Sequence, residues 1–156
     1  MDKNKRVIVW VVIVLVLLGV LFMWPRVGDP TRALVAGWKD ANVDCLPSHQ
    51  RANLHIHPVL RITVDGAPEP IPAETGIVRS CMAEIHTHDG SGTLHVESVL
   101  AAKAFTLGQF FTVWGKELTR EGYSADLTVN GAPSNEFGNL LLLDHQDIRI
   151  DYKSLD

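Results

Sequence analysis

The sequence predicts a mainly β domain, a sandwich or a partial barrel, with one short packed α-helix and a single N-terminal transmembrane helix before it. Three observations lead to this prediction: an uncharged apolar run at 7–24, alternating apolar and polar residues from residue 53 on, and an amphipathic segment at 105–115. Alternation with a period of two is typical of strands, whereas apolar spacings of three and four are typical of helices. The 156 residues suit one globular domain with a modest core.

The apolar run at 7–24 is long enough to cross a bilayer, because a helix of that length rises about 27 Å. A cleaved signal peptide is the alternative, but its apolar region is shorter and ends in small residues, whereas MWPRVGDP follows here. Lys3, Lys5 and Arg6 precede the run and only Arg26 follows it closely, which places the N-terminus in the cytoplasm. The predicted organisation is a cytoplasmic N-terminus at 1–6, a signal anchor at 7–24, a linker or stalk with room for a short helix at 25–50, and a periplasmic or extracellular β-rich domain at 51–156.

The charge balance limits the partners of the outer domain. Beyond residue 26, the 14 basic and 18 acidic side chains of the chain fall to 10 and 17, which gives a net charge of −7. An acidic domain without a basic run argues against nucleic acid or anionic lipid as a partner. The expected partners are therefore the membrane, through 7–24, and an envelope protein. No organic cofactor is expected, because the glycines at 89–92 are not followed by a helix that could bind phosphate.

The two cysteines, Cys45 and Cys81, lie in the segment expected outside the cytoplasm. In an oxidising compartment two cysteines usually pair, so a disulfide is the first interpretation. Metal ligation by one or both, and free buried thiols, are the alternatives.

Two similar hairpins are predicted in the outer domain. RITVDGAP at 61–68 and DLTVNGAP at 126–133 each join a strand-like run to an Asp-Gly or Asn-Gly turn. Pro68, Pro70 and Pro72 keep the segment 67–73 at a sheet edge or in a loop, because proline cannot donate a ladder hydrogen bond.

The segment 105–115 carries the signals of a short helix. Thr106 and Gln109 form a capping-box pattern, and Gly115 can end the helix. The residues Leu107, Phe110, Phe111 and Trp114 share one helical face. That face is expected in the core, with ligand stacking on Trp114 as the alternative.

Five histidines can converge if 82–99 forms a hairpin that turns at 90–91. In that register His86 faces His95, Glu84 faces Glu97, and His88 faces Thr93, all on one side of the sheet. Opposed carboxylates repel, so a cation, a shared proton, Arg61 or Arg79 is expected near Glu84 and Glu97. A second His-x-His, at 55–57, joins the cluster if its strand neighbours the hairpin.

This pattern predicts a copper or zinc site, because imidazole suits both metals and carboxylates can complete either site. The candidate ligands are His55, His57, His86, His88, His95 and Glu97, with Cys81 and Asp89 as further donors. His49 and His145 fall in loop-like segments and are set aside.

Two other interpretations of the same histidines stay open. They can form a structural polar cluster in an envelope module that binds a partner protein. They can also serve as general acids and bases in a hydrolase-like enzyme. The nucleophiles near them are Ser91, Ser98 and Cys81, none in a recognisable setting, so no reaction class is predicted.

Three stretches together resemble an uncharacterised group of small exported or membrane-anchored microbial domains. They are LHIHPVLRITVDG, HTHDGSGTLHVES with a cysteine five residues before it, and FTLGQFFTVWG, and they cover most of 53–115. The resemblance implies that the histidines, Asp89, Gly92, Glu97 and the aromatic helix belong to one repeated design. It does not imply an activity.

Overall fold

The computed structural model describes residues 10, 12–14, 30–46, 52–79 and 81–155. Residues 10 and 12–14 are helical, and the rest of the predicted anchor at 7–24 lies outside the described residues. Within the described part of the chain, no helix is both long and apolar enough to cross a membrane. The chain divides into two compact units, Met1–Pro30 and Thr31–Asp156. The second unit contains all the described strands and the histidine cluster.

Ten strands and two helices are described. The helices are α1 (Pro30–Asp40) and α2 (Leu107–Trp114), with a 3-10 turn at Phe137–Asn139. The strands are β1 (Leu54–Ile56), β2 (Val59–Val64), β3 (Ala67–Glu69), β4 (Ile77–Val78), β5 (Cys81–Met82), β6 (Ile85–His86), β7 (His95–Ser98), β8 (Tyr123–Val129), β9 (Ala132–Ser134) and β10 (Asp147–Ser154).

The largest sheet has the strand order β3-β2-β10-β8-β9. The two predicted hairpins are confirmed as β2–β3 and β8–β9, and they lie on either side of β10. Asp65-Gly66 and Asn130-Gly131 both take positive φ, as a two-residue hairpin turn requires. The proline-containing strand β3 is an edge strand, as predicted. The C-terminal strand β10 runs parallel to β2 and antiparallel to β8.

A second sheet of three strands, β1-β7-β6, carries His55, His86 and His95, and β4 pairs with β5 separately. An isolated bridge between Val59 and Thr93 links the start of β2 to the chain just before β7. The two main sheets are therefore joined next to the histidines.

Helix α2 has the caps that the sequence predicts. The Thr106 side chain accepts a hydrogen bond from the Gln109 N–H, and the Gln109 side chain accepts one from the Thr106 N–H. Gly115 ends the helix in the left-handed conformation. The Gln109 amide also donates to the Ala41 carbonyl at 2.7 Å, which ties α2 to the end of α1.

The core is a single cluster that includes side chains from β2, β7, β8, β10 and both helices. Phe110 and Phe111 of α2 are buried, which confirms the aromatic face as core, and Trp114 packs at its border. Trp38 of α1 and Val43 also lie in this core, so the segment after residue 30 packs as part of the domain. A mainly β domain with a short packed helix is confirmed. The finer assignment to a sandwich or a partial barrel stays a prediction.

A disulfide joins Cys45 to Cys81 across 36 residues of sequence. Cys45 also pairs with Ala83 in an isolated bridge, and the Leu46 N–H donates to the Met82 carbonyl at 2.7 Å. The segment after α1 is thereby fixed beside β5 and the start of β6.

Gly92 is required by a close backbone approach as well as by its φ of +83°. A Cβ at Gly92 would lie 2.3 Å from the Leu60 carbonyl oxygen, whereas a Cβ at Gly66, with a φ of +80°, would meet nothing within 4 Å.

We expect Gly92→Ala to lower the free energy of unfolding by roughly 2–4 kcal/mol, and Gly66→Ala by about 1 kcal/mol. Urea denaturation of both variants measures the difference. Equal losses would mean that only the φ matters.

Candidate metal centre

Strand β7 is the centre of the histidine cluster because it pairs with strands on both sides. His95 on β7 lies opposite His86 on β6, which confirms the predicted register. On the other side of β7, Glu97 lies opposite His55 on β1. His57 follows β1 directly, and its N–H donates to Asp144 Oδ1 at 2.9 Å.

The predicted hairpin holds as far as Glu84 and Glu97, where the Glu97 N–H donates to the Glu84 carbonyl at 2.8 Å, but it is wrong on the turn side of the His86–His95 pair. The expected partner of His88, Thr93, bridges to Val59 instead. The Leu94 N–H donates to the Pro58 carbonyl, and the Leu60 N–H donates to the Gly92 carbonyl at 2.8 Å. The residues just before β7 therefore pair with the chain around the start of β2. The backbone groups of 58–60 take the place of the partners that a tight turn would provide.

All five predicted histidines converge around His95. The ring centroid of His95 lies 4.5 Å from that of His88, 4.8 Å from His57 and 5.5 Å from His86. The His55 ring lies 4.5 Å from His57 and 6.2 Å from His95. The convergence follows from β-structure: the two His-x-His pairs point their rings to the same side as His95.

The donor nitrogens of the cluster form two groups of three that share His95. We call them the outer trio (His55, His57, His95) and the inner trio (His86, His88, His95). Within each trio the ligand atoms all lie within 4.8 Å of one another, so each could hold a metal ion. The names follow burial: His86 of the inner trio is wholly buried, whereas the His55 side chain of the outer trio is 48% exposed.

The tautomer of His86 is set by the backbone. Its Nδ1 lies 2.9 Å from the Ala83 carbonyl oxygen, which can only accept a hydrogen bond, so Nδ1 carries the proton. The lone pair of His86 is then on Nε2, which lies 3.2 Å from His88 Nε2. At metal sites, the ring nitrogen of a histidine that does not bind the metal usually donates its hydrogen to a backbone carbonyl, a carboxylate or water.

Burial lowers the pKa of His86 to about 4, and the neighbouring rings of His88 and His95 act in the same direction. The pKa of His95 is also lowered, first by burial and then by the nearby histidines. Both rings are therefore neutral at neutral pH, and neutral imidazole is the form that binds metal.

The inner trio fits a tetrahedral ion. With metal–nitrogen bonds of about 2.0–2.1 Å, two tetrahedral ligand atoms lie roughly 3.3 Å apart. The observed His86–His88 separation of 3.2 Å is already close to that value. The widest separation within a trio, up to 4.8 Å, requires side-chain movements of only about 1 Å.

Glu97 lies outside both trios and contacts one of their members. Its side chain is 1% exposed, and Oε1 lies 3.2 Å from His55 Nε2. This places a buried carboxylate behind an exposed histidine, where it orients the ring and adds negative charge.

The expected repulsion between Glu84 and Glu97 is relieved by a residue that the sequence reasoning missed. Lys103 Nζ lies 2.5 Å from Glu84 Oε2, and both side chains are nearly buried. Glu84 also accepts from Ser98 Oγ at 2.6 Å and from the Asp44 N–H at 2.9 Å. A lone lysine in the apolar stretch AAKAF, just before a buried phenylalanine, is the signal that could have identified it.

Cys81 and Asp89, the further donors that the sequence suggests, belong to neither trio, and the two histidines set aside are not in them either. Cys81 is in the disulfide, so its thiolate is not a donor. Asp89 is exposed, and its Oδ1 accepts from the Ser91 N–H at 2.9 Å. His145 is 86% exposed and pairs with Asp144, whereas His49 lies outside the described residues.

Comparisons of the chain with protein-family models, with curated proteins and with solved structures found no match. The resemblance of its motifs to small exported microbial domains stays a prediction.

The pH dependence of stability tests the environment of His86 in the metal-free protein. Because the folded-state pKa of about 4 lies below the ordinary value of 6.5, the unfolded chain takes up the proton first. The contribution of His86 is complete above pH 6.5 and is lost as the pH falls toward 4. His86→Asn keeps an amide donor for Ala83 but cannot titrate. As the pH is lowered, we expect the unfolding free energy of this variant to fall less than that of the parent protein. The difference should reach roughly 3 kcal/mol at most over this range. Urea denaturation of both proteins at pH values from 7 to 4 measures how their unfolding free energies depend on pH. The same pH dependence in both would contradict the lowered pKa of His86.

The Lys103–Glu84 pair is tested by removing one charge. Lys103→Met leaves a buried carboxylate without its cation, and we expect a loss of about 3–5 kcal/mol in unfolding free energy. Adding Glu84→Gln should restore part of that loss. The matched control is Lys153→Met, which removes an exposed partner of Asp126 and should cost about 1 kcal/mol or less. Denaturant titrations measure both losses. Similar losses for the two lysine variants would show that the buried ion pair contributes no more to stability than the exposed one.

Proposed function

We propose that this chain binds a transition-metal ion, zinc or copper, through its histidine cluster. The observation that supports the proposal most directly is the position of His95 between two His-x-His pairs, each close enough to form a three-nitrogen site with it. The tautomer of His86 and the lowered pKa values of His86 and His95 add to it, because they present neutral donors at neutral pH.

The donor set favours zinc(II) or copper(II). Every donor in the two trios is an imidazole nitrogen, which suits these two ions. Both cysteines are in the disulfide, so no thiolate is present to favour copper(I). Three protein nitrogens also leave a coordination position for water or for a further ligand.

The proposed location is the outer face of a membrane, with the domain held by an N-terminal anchor at 7–24. The length of that apolar run and the basic residues before it support an anchor with a cytoplasmic N-terminus. The Cys45–Cys81 disulfide fits the oxidising compartment that this orientation implies. Free metal ions and metal-carrying envelope proteins would both reach the cluster there.

A structural role is the second candidate. The contact of His55 with the buried Glu97 favours it, because such a pair can fasten β1 to β7 without metal. In that case the domain would be an envelope module that meets a partner protein, and the histidines would matter for stability alone.

Metal-dependent melting of the full-length protein, purified in detergent and stripped of metal, distinguishes the two candidates. Zinc(II) or copper(II) at about 100 times its dissociation constant should add roughly 2.7 kcal/mol, a rise in Tm of about 5–10 °C. The rise should disappear in His86→Ala/His95→Ala and persist in His145→Ala, which changes an exposed histidine outside the cluster.

Two results would contradict metal binding by this cluster. One is the absence of any rise with either ion. The other is a rise of the same size in the His86→Ala/His95→Ala variant, which would place the metal elsewhere. A variant that melts lower than the parent by the same amount with and without metal would support the structural role.

A further inference from the structure

We infer that the cluster offers one metal ion two alternative positions, the outer trio and the inner trio, with His95 as the ligand common to both. This inference rests on the proposed metal binding and adds how the ion is held. It predicts an ion that can move between two positions, of which the inner one includes the buried His86, without leaving His95.

The grouping of the nitrogens supports two positions rather than one. Within the described residues, the groups whose ligand atoms lie within 4.8 Å of one another are the two trios, and no set of four meets this limit. A single ion bound by both His-x-His pairs would require all of these nitrogens to approach one point.

The strand order gives the physical reason. β1 and β6 lie on opposite sides of β7, so each His-x-His pair approaches His95 from its own side. Neighbouring strands are about 4.8 Å apart, which separates β1 from β6 by roughly 9.6 Å. Among the described residues, no group of three ligand atoms within 4.8 Å combines a histidine of 55–57 with one of 86–88.

Exposure differs between the two positions. Each trio has one exposed histidine, His55 in the outer trio and His88 in the inner trio. The difference lies in a second ligand: His86 of the inner trio is wholly buried, whereas His57 of the outer trio is half-buried. An ion arriving from solvent therefore meets an exposed histidine in either trio, and in the inner trio one of its three ligands is covered by protein. His95 lies 4.8 Å from His57 and 4.5 Å from His88, measured between ring centroids, so a small ring movement changes its partners.

Two alternative positions leave a distinctive signature in affinity. The association constants of alternative positions add, so removing one position leaves the other to bind the ion. Removing both causes a loss larger than the product of the two single losses. If instead both histidines ligate one ion in a single position, the combined loss is at most about that product.

The test is a titration of the metal-free, full-length protein with zinc(II), in competition with a chromophoric chelator. His57→Ala removes a ligand of the outer trio and His88→Ala one of the inner trio. We expect one zinc per chain in the parent and in each single variant. The double variant should lose at least tenfold more affinity than the product of the single losses, and His95→Ala should match it. His145→Ala is the control, and metal-free circular dichroism checks that each variant folds.

Three outcomes would overturn the inference while leaving metal binding intact. They are two zinc ions per chain, a combined loss no greater than the product of the single losses, and full binding in His95→Ala. Failure of the parent protein to bind zinc(II), repeated with copper(II), would overturn the proposed function itself, so the two failures are distinguishable.

Discussion

The site depends on the register of β7, the strand between β1 and β6. That register places His95 opposite His86 and turns both rings to one side of the sheet. Leu94 and Val96 point to the other side, where both are completely buried. Because side chains alternate along a strand, a slip of one residue would carry the histidine into the core and expose the two apolar residues. The burial of the core therefore fixes the position of the candidate ligands.

The features that could be predicted from the sequence are those encoded within a short stretch. The facing of His86 and His95 follows from one glycine-rich segment between two alternating runs, because pairing across a hairpin is local. The caps of α2 follow from Thr106, Gln109 and Gly115, which lie within ten residues of one another. The Asp-Gly and Asn-Gly turns likewise define two hairpins before their place in the sheet is known.

The features that could not be predicted depend on segments far apart in the chain. The sequence around 88–93 predicts a tight turn. In the structure the Leu60 N–H donates to the Gly92 carbonyl instead, and no residue near Gly92 in the sequence indicates that partner. Lys103 lies 19 residues from its partner Glu84, and no local pattern indicates that the two side chains meet. The convergence of the two His-x-His pairs could be stated only as a condition, because local patterns do not specify which strands become neighbours.

The carboxylates around the cluster matter because an ion held by neutral imidazoles keeps its full positive charge. Glu97, with its side chain 1% exposed, lies 3.2 Å from His55 on the outer side, and Asp144 accepts the His57 N–H at 2.9 Å. A hydrogen bond between two neutral rings contributes only about 1 kcal/mol, whereas burying a carboxylate costs several kcal/mol before its partners are counted. A cation among the histidines would offset part of that cost, and hydrogen bonds among the rings alone would not. The contact of Glu97 with His55 can therefore serve in either role, as a clasp between β1 and β7 or as a carboxylate that balances the charge of a bound cation.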